Sequence, residues 1–430
     1  MTNRFDVRSR SGLLAAAGAV GLIAGLSATS TASAQSAFDR SRNVGVLDRP
    51  HPEYDAIGIR TGSFLVYPKV ELGVGYNDNV YAAEDDALDD VIYAISPSVS
   101  AESTWSRHSL ALSAAAKIQR YADVGTEDSE EYRILATGRL DVRRDANISG
   151  SVGYVSAVEA RGSSGTTILT RTPIEYDTFN ATVAAVKDFN RVRLSGRLGF
   201  TDVDYDDNVS FTGAPVDFDF RDNETSVASV RVDYAVSPAT ALFGEVALTS
   251  ADYSSSASGA SNRDSDGVRL LGGVNFELTN LITGELSAGY ITRTFDNGVT
   301  GDVDQFAYRA SLNYYPTQLL TVGLKGETTI NDSGVLITPA YVADSVGLQV
   351  DYEVLRNLIV TGVADYSRDD YQDIDRTDDR YGIGATATYL LNRRAGISLT
   401  YSQLTQDSSG AARNVDYTER SLMLALVLQL

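Results

Sequence analysis

The chain has no cysteine, two methionines, one tryptophan and nine prolines in 430 residues. Without cysteine there are no disulfides and no thiolate metal sites, which fits a compartment where free thiols are avoided. Base is scarce: 36 Lys+Arg against 57 Asp+Glu give a formal net charge of −21. Phosphate backbones need a basic surface, so the balance argues against a nucleic-acid partner. Histidine is nearly absent, with only His51 and His108. Long apolar runs are also missing after residue 26, so no later segment reads as a transmembrane helix.

What is present begins with an export signal. Arg4, Arg8 and Arg10 form a positive region, "GLLAAAGAVGLIAGL" (Gly12 to Leu26) an apolar core, and "ASA" (Ala32 to Ala34) a small-residue cleavage site. Residues 1–34 are therefore expected to be a signal peptide. Residues 35–61 are expected to be a periplasmic N-terminal segment, and 62–430 one β-barrel domain. The N-terminal segment either plugs the barrel, docks a partner or simply leads into the first strand.

From about Gly62 the sequence keeps a period of two. "YRILATGRLDV" sets Tyr132, Ile134, Ala136, Leu140 and Val142 against Arg133, Thr137, Arg139 and Asp141. "GVRLLGGVNFEL" sets Val268, Leu270, Val274 and Phe276 against Arg269, Asn275 and Glu277. That period means strands with unlike faces. Connections alternate between short ("LTNL", "YPTQL", "LNRRA") and long, acidic and Gly/Ser-rich ("YDDNVSFTGAPVDFDFRDN", "ADYSSSASGASNRDSD"). About eighteen runs can be placed between residues 64 and 430. An even count with alternating loop lengths is the pattern of an up-and-down antiparallel outer-membrane barrel, with both termini on the short-turn side.

A soluble sandwich also alternates, but its outer faces carry many charges. Here the polar faces are mostly Gly, Ser, Thr and Ala, which suits a lumen. Tyr121, Tyr154, Tyr176, Tyr205, Tyr253, Tyr290, Tyr366, Tyr371 and Tyr401 stand near strand ends, where aromatic girdles sit. In hydrocarbon every N–H and C=O must be paired, so the sheet must close. The last strand, "SLMLALVLQL", puts Leu422, Leu424, Leu426, Leu428 and Leu430 on the lipid side. It is expected to pair with the first strand, whose Val66, Val70, Leu72, Val74 and Tyr76 share one parity.

"RPHPEYDAIGIRTGSF" before the first strand and "GVGYNDNVY" at its far end resemble the opening of the putative β-barrel porin 2 family of outer-membrane proteins. The resemblance implies a bacterial outer-membrane barrel and an association with exopolysaccharide export. It supplies no catalytic residues.

The leading expectation is a porin-like channel in the outer membrane of a Gram-negative bacterium, exopolysaccharide export being its sharpest form. Lumen-lining candidates are Arg133, Arg139, Arg193, Arg197, Arg231, Arg269, Arg309, Glu277, Glu285, Glu327 and Asp351. Opposed charges set a transverse field, or pair across strands and hold the wall. Expected partners are outer-membrane lipids, lipopolysaccharide, the barrel-assembly machinery and a periplasmic polysaccharide-export partner; no cofactor or metal is expected. An alternative is a structural or adhesive protein acting through its acidic loops, among them "DVDYDDN" (Asp202 to Asn208), which lacks the central Gly and distal Glu of a calcium loop. A barrel enzyme is a distant third, because His51 precedes the barrel and His108 sits at a short turn.

Overall fold

The computed structural model describes residues 43–164, 170–254, 263–279, 281–296 and 300–430. The export signal and residues 35–42 lie outside the described residues. Eighteen long strands follow in chain order among them. They are β1 (Phe64–Asn77), β2 (Asp90–Ser103), β3 (Ser109–Tyr121), β4 (Ser129–Arg143), β5 (Ala146–Val158) and β6 (Glu175–Phe189). Next come β7 (Val192–Tyr205), β8 (Asn223–Ser237), β9 (Thr240–Tyr253), β10 (Ser265–Leu278), β11 (Ile282–Phe295) and β12 (Val303–Thr317). The last are β13 (Leu320–Asp332), β14 (Ala340–Leu355), β15 (Leu358–Tyr371), β16 (Thr377–Asn392), β17 (Ala395–Ser409) and β18 (Tyr417–Gln429). Each pairs antiparallel with its chain neighbours, and β18 pairs with β1, so the sheet is a closed barrel.

Closure falls where the apolar parity demands. Val70 pairs with Leu428, Leu72 with Leu426, Val74 with Leu424 and Tyr76 with Leu422. Leu422, Leu424, Leu426 and Leu428 are all exposed outward, while Ala425 between them is 6% exposed. β1 overhangs β18 at its start. There the short strand Ile59–Thr61 folds back and pairs with Phe64–Val66. Pro68, which has no N–H to donate, stands where the neighbour of β1 changes from this hairpin to β18. The overhanging edge is thus covered rather than left open.

The two ends differ. The eight tight connections, such as 144–145 and 393–394, leave little room, and the chain uses two devices there. Bulges occur at the ends of the strands entering the turns, as between Ala235 and Ser237 or Leu390 and Asn392. Left-handed residues turn the corner at His108, Asn190 and Thr279. A bulge adds twist and re-aims the strand into the hairpin. The opposite end carries the long loops, and hydrophobic clusters lie beneath them. One joins Ile174, Tyr205, Phe218 and Phe220; another joins Val335, Tyr341, Ala343 and Tyr371.

These clusters correct the reading of the tyrosines. Tyr154, Tyr290, Tyr366 and Tyr401 share the outward parity of their strands. Tyr121, Tyr176, Tyr205, Tyr253 and Tyr371 have the inward parity, and Tyr205 and Tyr371 are buried. They pack the long-loop end from inside: the rings of Tyr176 and Tyr205 lie 5.5 Å apart, those of Tyr341 and Tyr371 5.1 Å. A period of two places a ring on a face, but not under a loop that folds in from elsewhere. The outward tyrosines near the long loops bind acids, as Tyr76 with Asp89 (3.0 Å), Tyr154 with Asp177 (2.7 Å) and Tyr366 with Asp379 (2.6 Å). Tyr234, Tyr314, Tyr352 and Tyr389 form the outward set near the short turns. Rings at both borders of an apolar band bring a phenol to each polar boundary.

Leu424→Arg is expected to destabilise the barrel in lipid vesicles by about 2–4 kcal/mol, the loss a cation causes at the hydrocarbon midplane. Val427→Arg, on the other face of the same strand, is expected to lose far less. Reversible denaturant titration in vesicles measures both, and equal losses contradict the assignment of faces.

Candidate functional site

The inner face identifies itself through contacts that skip strands. Arg231 on β8 holds Glu285 on β11 through two hydrogen bonds, 2.9 and 2.8 Å. Arg309 on β12 reaches Glu245 on β9 at 3.5 Å. Strands three apart are separated by about 14 Å along the sheet. Side chains can meet over that span only on the concave side.

Most inward charges are engaged there. Arg231 also holds Asp233 at 2.7 Å, and its guanidinium lies 3.6 Å from the ring centroid of Phe243. Arg139 bonds Asp141 at 2.8 Å, and Arg193 grips Asp188 through two bonds of 2.6 and 2.9 Å. Arg309 has a second, longer approach to Glu327 at 3.9 Å. Asn275 donates to Glu285 at 3.4 Å. Glu277 is buried near the short turns. Asp351 is buried and accepts from Gln349 (2.9 Å) and Thr361 (2.8 Å), both neutral. Arg133, Arg197 and Arg269 have no ion pair among the described residues, and the Nε of Arg269 is buried without a hydrogen-bond partner.

The inward faces of β16 to β18 and of β1 and β2 are quieter at mid-height. Gly382, Gly384, Thr386, Ser398, Thr400, Ser402, Gly73, Gly75, Ser96 and Ser98 offer hydroxyls and bare backbone. Gly75 also makes room for its neighbour, because a Cβ there would stand 2.6 Å from the methyl of Met423.

At the long-loop end, the loop after β5 crosses to the far wall. Arg380 Nη2 on β16 donates to the carbonyl of Gly162 at 2.5 Å, and Tyr417 Oη on β18 donates to the same oxygen at 3.0 Å. Ser164 Oγ donates to Asp369 on β15 at 2.7 Å, and Tyr371 donates to the carbonyl of Ser164. Gly162 has φ +71°, and a Cβ on it would stand 2.7 Å from the Tyr417 ring. Only glycine fits. The strap is rooted by two buried ion pairs, Arg221 with Glu159 (2.8 Å) and Arg161 with Glu127 (2.7 Å).

At the short-turn end, residues 43–55 lie across the opening. The amide of Val46 donates to Thr321 Oγ1 on β13 at 3.0 Å, and Val46 is fully buried. Arg49 and His51 meet one oxygen of Glu353 on β14, at 3.2 and 3.5 Å. Arg393 donates to the carbonyl of Pro52 at 2.9 Å, and Gln429 to that of Tyr54 at 3.3 Å. The segment thereby joins β13, β14, the turn after β16 and β18. The sequence offered a plug as one alternative for this segment but not the walls it meets, and it gave no sign of the strap, because alternation carries no record of which distant wall a loop meets.

His108 serves its turn: Nδ1 accepts from the amide of Asp141 at 3.1 Å, and its own amide donates to Asp141 at 3.3 Å. Of the acidic loop residues, Asp202 and Asp204 fall within β7. Asp207 instead joins Asp217 and Asp219, with carboxylate oxygens of all three within 4.8 Å of one another and all exposed. Asp217 raises the carboxyl of Asp219 above its ordinary value by like-charge repulsion. Burial pushes Asp222 at the loop's end up to about 6.

No curated relative matches the chain. Among solved structures, the chain resembles Pseudomonas aeruginosa OccK2 (OpdF) in complex with glucuronate at 11% identity and a TM-score of 0.45, over 85% of this chain and 98% of that one. A BenF-like porin from Pseudomonas fluorescens Pf-5 gives 11% and 0.44, over 85% and 99%. The siderophore receptor PirA from Acinetobacter baumannii gives 8% and 0.46, over 85% and 80%. The family description putative beta-barrel porin 2 matches residues 51–430, and the chain belongs to that family of porin-like outer-membrane barrels.

Proposed function

We propose that the barrel passes polar solutes across the outer membrane of a Gram-negative bacterium, through a lumen narrowed at both ends by its own chain. The observation that carries this reading is the closed ring of eighteen strands with a polar inner face. About eight strands fill with side chains, whereas 16–18 leave an aqueous channel. Exopolysaccharide export is the sharper form of the proposal. It is supported by the family resemblance and by the glycine- and hydroxyl-rich mid-height sector of β16 to β18 and β1 to β2, where the charges of Lys69 and Glu71 pair with each other and the hydroxyls match the hydrogen-bonding character of sugars. In that form, a periplasmic export partner docks at the segment 43–55.

The mature chain in planar bilayers is expected to show stable single-channel steps, and silence at every voltage sinks the proposal. Deleting residues 43–55 is expected to raise the unitary conductance. Gly162→Val is expected to detach the strap and add open-state noise. Conductance unchanged in both variants shows that neither segment narrows the path.

A further inference from the structure

One ladder in the ring stops early. β12 and β13 pair from Thr317–Leu320 only as far as Arg309–Glu327. Beyond that point each strand runs on beside its other neighbour, β12 to Val303 against β11 and β13 to Asp332 against β14. Residues 303–308 and 328–332 therefore have no pairing with each other among the described residues. Tyr315 donates its amide to Leu281 and Glu353 to Leu319, so by alternation the even-numbered amides of β12 and β13 turn toward this gap. Those of Phe306 and Ile330 are among them.

Side chains shut the gap instead. Ile330 on β13 and Val342 on β14 have the outward parity of their strands, while Phe295 on β11 and Val303 on β12 have the inward parity, and yet these four pack together. Asp332, also of outward parity, meets the inward Arg293 on β11 at 2.6 Å. The edge of β13 and β14 therefore lies inside the edge of β11 and β12, as two overlapping walls. On the outer surface the Tyr308 ring crosses β13 at the point where pairing ends. A Cβ on Gly326 would stand 3.2 Å from that ring, and the hydroxyl donates to the Ser345 carbonyl on β14 at 3.3 Å. The overlap lies at the level of the outward rings near the long loops, because Phe306 meets Tyr290 edge-on with centroids 6.3 Å apart. Aromatic rings of this kind mark the head-group level. Elsewhere in the ring, parting two strands breaks a row of backbone hydrogen bonds. Here it breaks one apolar cluster and a few side-chain contacts.

We propose that this overlap is a lateral gate, through which single-chain amphiphiles pass between the lumen and the outer leaflet. The inference goes beyond the channel reading and needs only a hollow barrel. An acyl chain suits the passage because both surfaces of the overlap are apolar, Phe295 and Val303 on one and Ile330 and Val342 on the other. The head group stays in the watery mouth of the barrel or at the bilayer interface while the chain slides between the walls. Release of Tyr308 from Ser345 and of Arg293 from Asp332 lets the walls part with every ladder bond intact.

The test uses the mature chain in liposomes containing palmitate with a photoactivatable diazirine near the end of its chain. Phe295 and Val342 are only 5% and 6% exposed, so the chain reaches them when the overlap opens. Mass spectrometry is expected to find label on both. Phe306→Cys with Ile330→Cys, bridged by a bismaleimide, locks the gate in a chain with no other thiol. Bridging is expected to lower the label on Phe295 and Val342 at least about tenfold, the factor that one or two spared backbone hydrogen bonds are worth. Label on the outward Tyr290 stays the same, and the unbridged variant behaves as the parent does. Amide exchange reads the ladder itself: Phe306 and Ile330 are expected to exchange faster than Leu312 and Leu324, which lie where β12 and β13 are paired. Heat-modifiable gel mobility confirms that each variant is folded. Label on the inner cluster that bridging leaves unchanged, no label there in the parent, or equal protection of the two amide pairs overturns the gate. Silence in planar bilayers with this labelling intact removes the channel reading and supports the gate alone.

Discussion

A backbone amide in hydrocarbon has no water to turn to, and everything in this structure follows from that. An unpaired polar group there costs roughly 2–7 kcal/mol. An open edge along the nine pairs from Lys69–Gln429 to Asn77–Ser421 would leave a row of them. The chain therefore ends where it began, and the leucines of β18 lie against the valines of β1. The short strand Ile59–Thr61 and Pro68 finish the seam, one by supplying hydrogen bonds and the other by needing one fewer.

Closure turns alternation into two separate chemistries. Outside, tyrosines at both borders of the apolar band carry their hydroxyls to acids or to water. Inside, long arginines span three strands to reach glutamates, which only a concave wall permits. The ends are treated differently because the loops differ. The long-loop end is filled by aromatic clusters and a strap latched to the far wall, while the short-turn end is crossed by residues 43–55 held at Glu353 and Thr321.

Much of the fold was legible in the sequence. A period of two fixes which face each residue takes, and turn lengths fix which end each connection occupies. That was enough to place Arg231, Arg309 and Glu285 on one face and the leucine comb on the other. It was not enough to say that Arg231 would choose Glu285, since the partner lies three strands on. The same limit misplaced Tyr205 and Tyr371, whose rings lie under Phe218 and beside Tyr341 rather than in a lipid girdle. Gly162 gave no signal either, because its demand for a bare backbone comes from Tyr417, more than 250 positions away. Alternation is local, and the contacts of the strap and of residues 43–55 are not.

The seam between the first and last strands is the most direct place to test the account. The chain has no native cysteine, so a pair introduced as Leu72→Cys and Leu426→Cys is free of competing thiols. Opposed residues of an antiparallel pair stand within the distance range a disulfide accepts. Oxidation of the folded protein in outer membranes should join the two and leave a species that migrates as a closed loop on a non-reducing gel, while Leu72→Cys with Leu422→Cys, four residues out of register, stays open. Failure of the first pair to cross-link, or equal cross-linking of both, would contradict a sheet closed in this register.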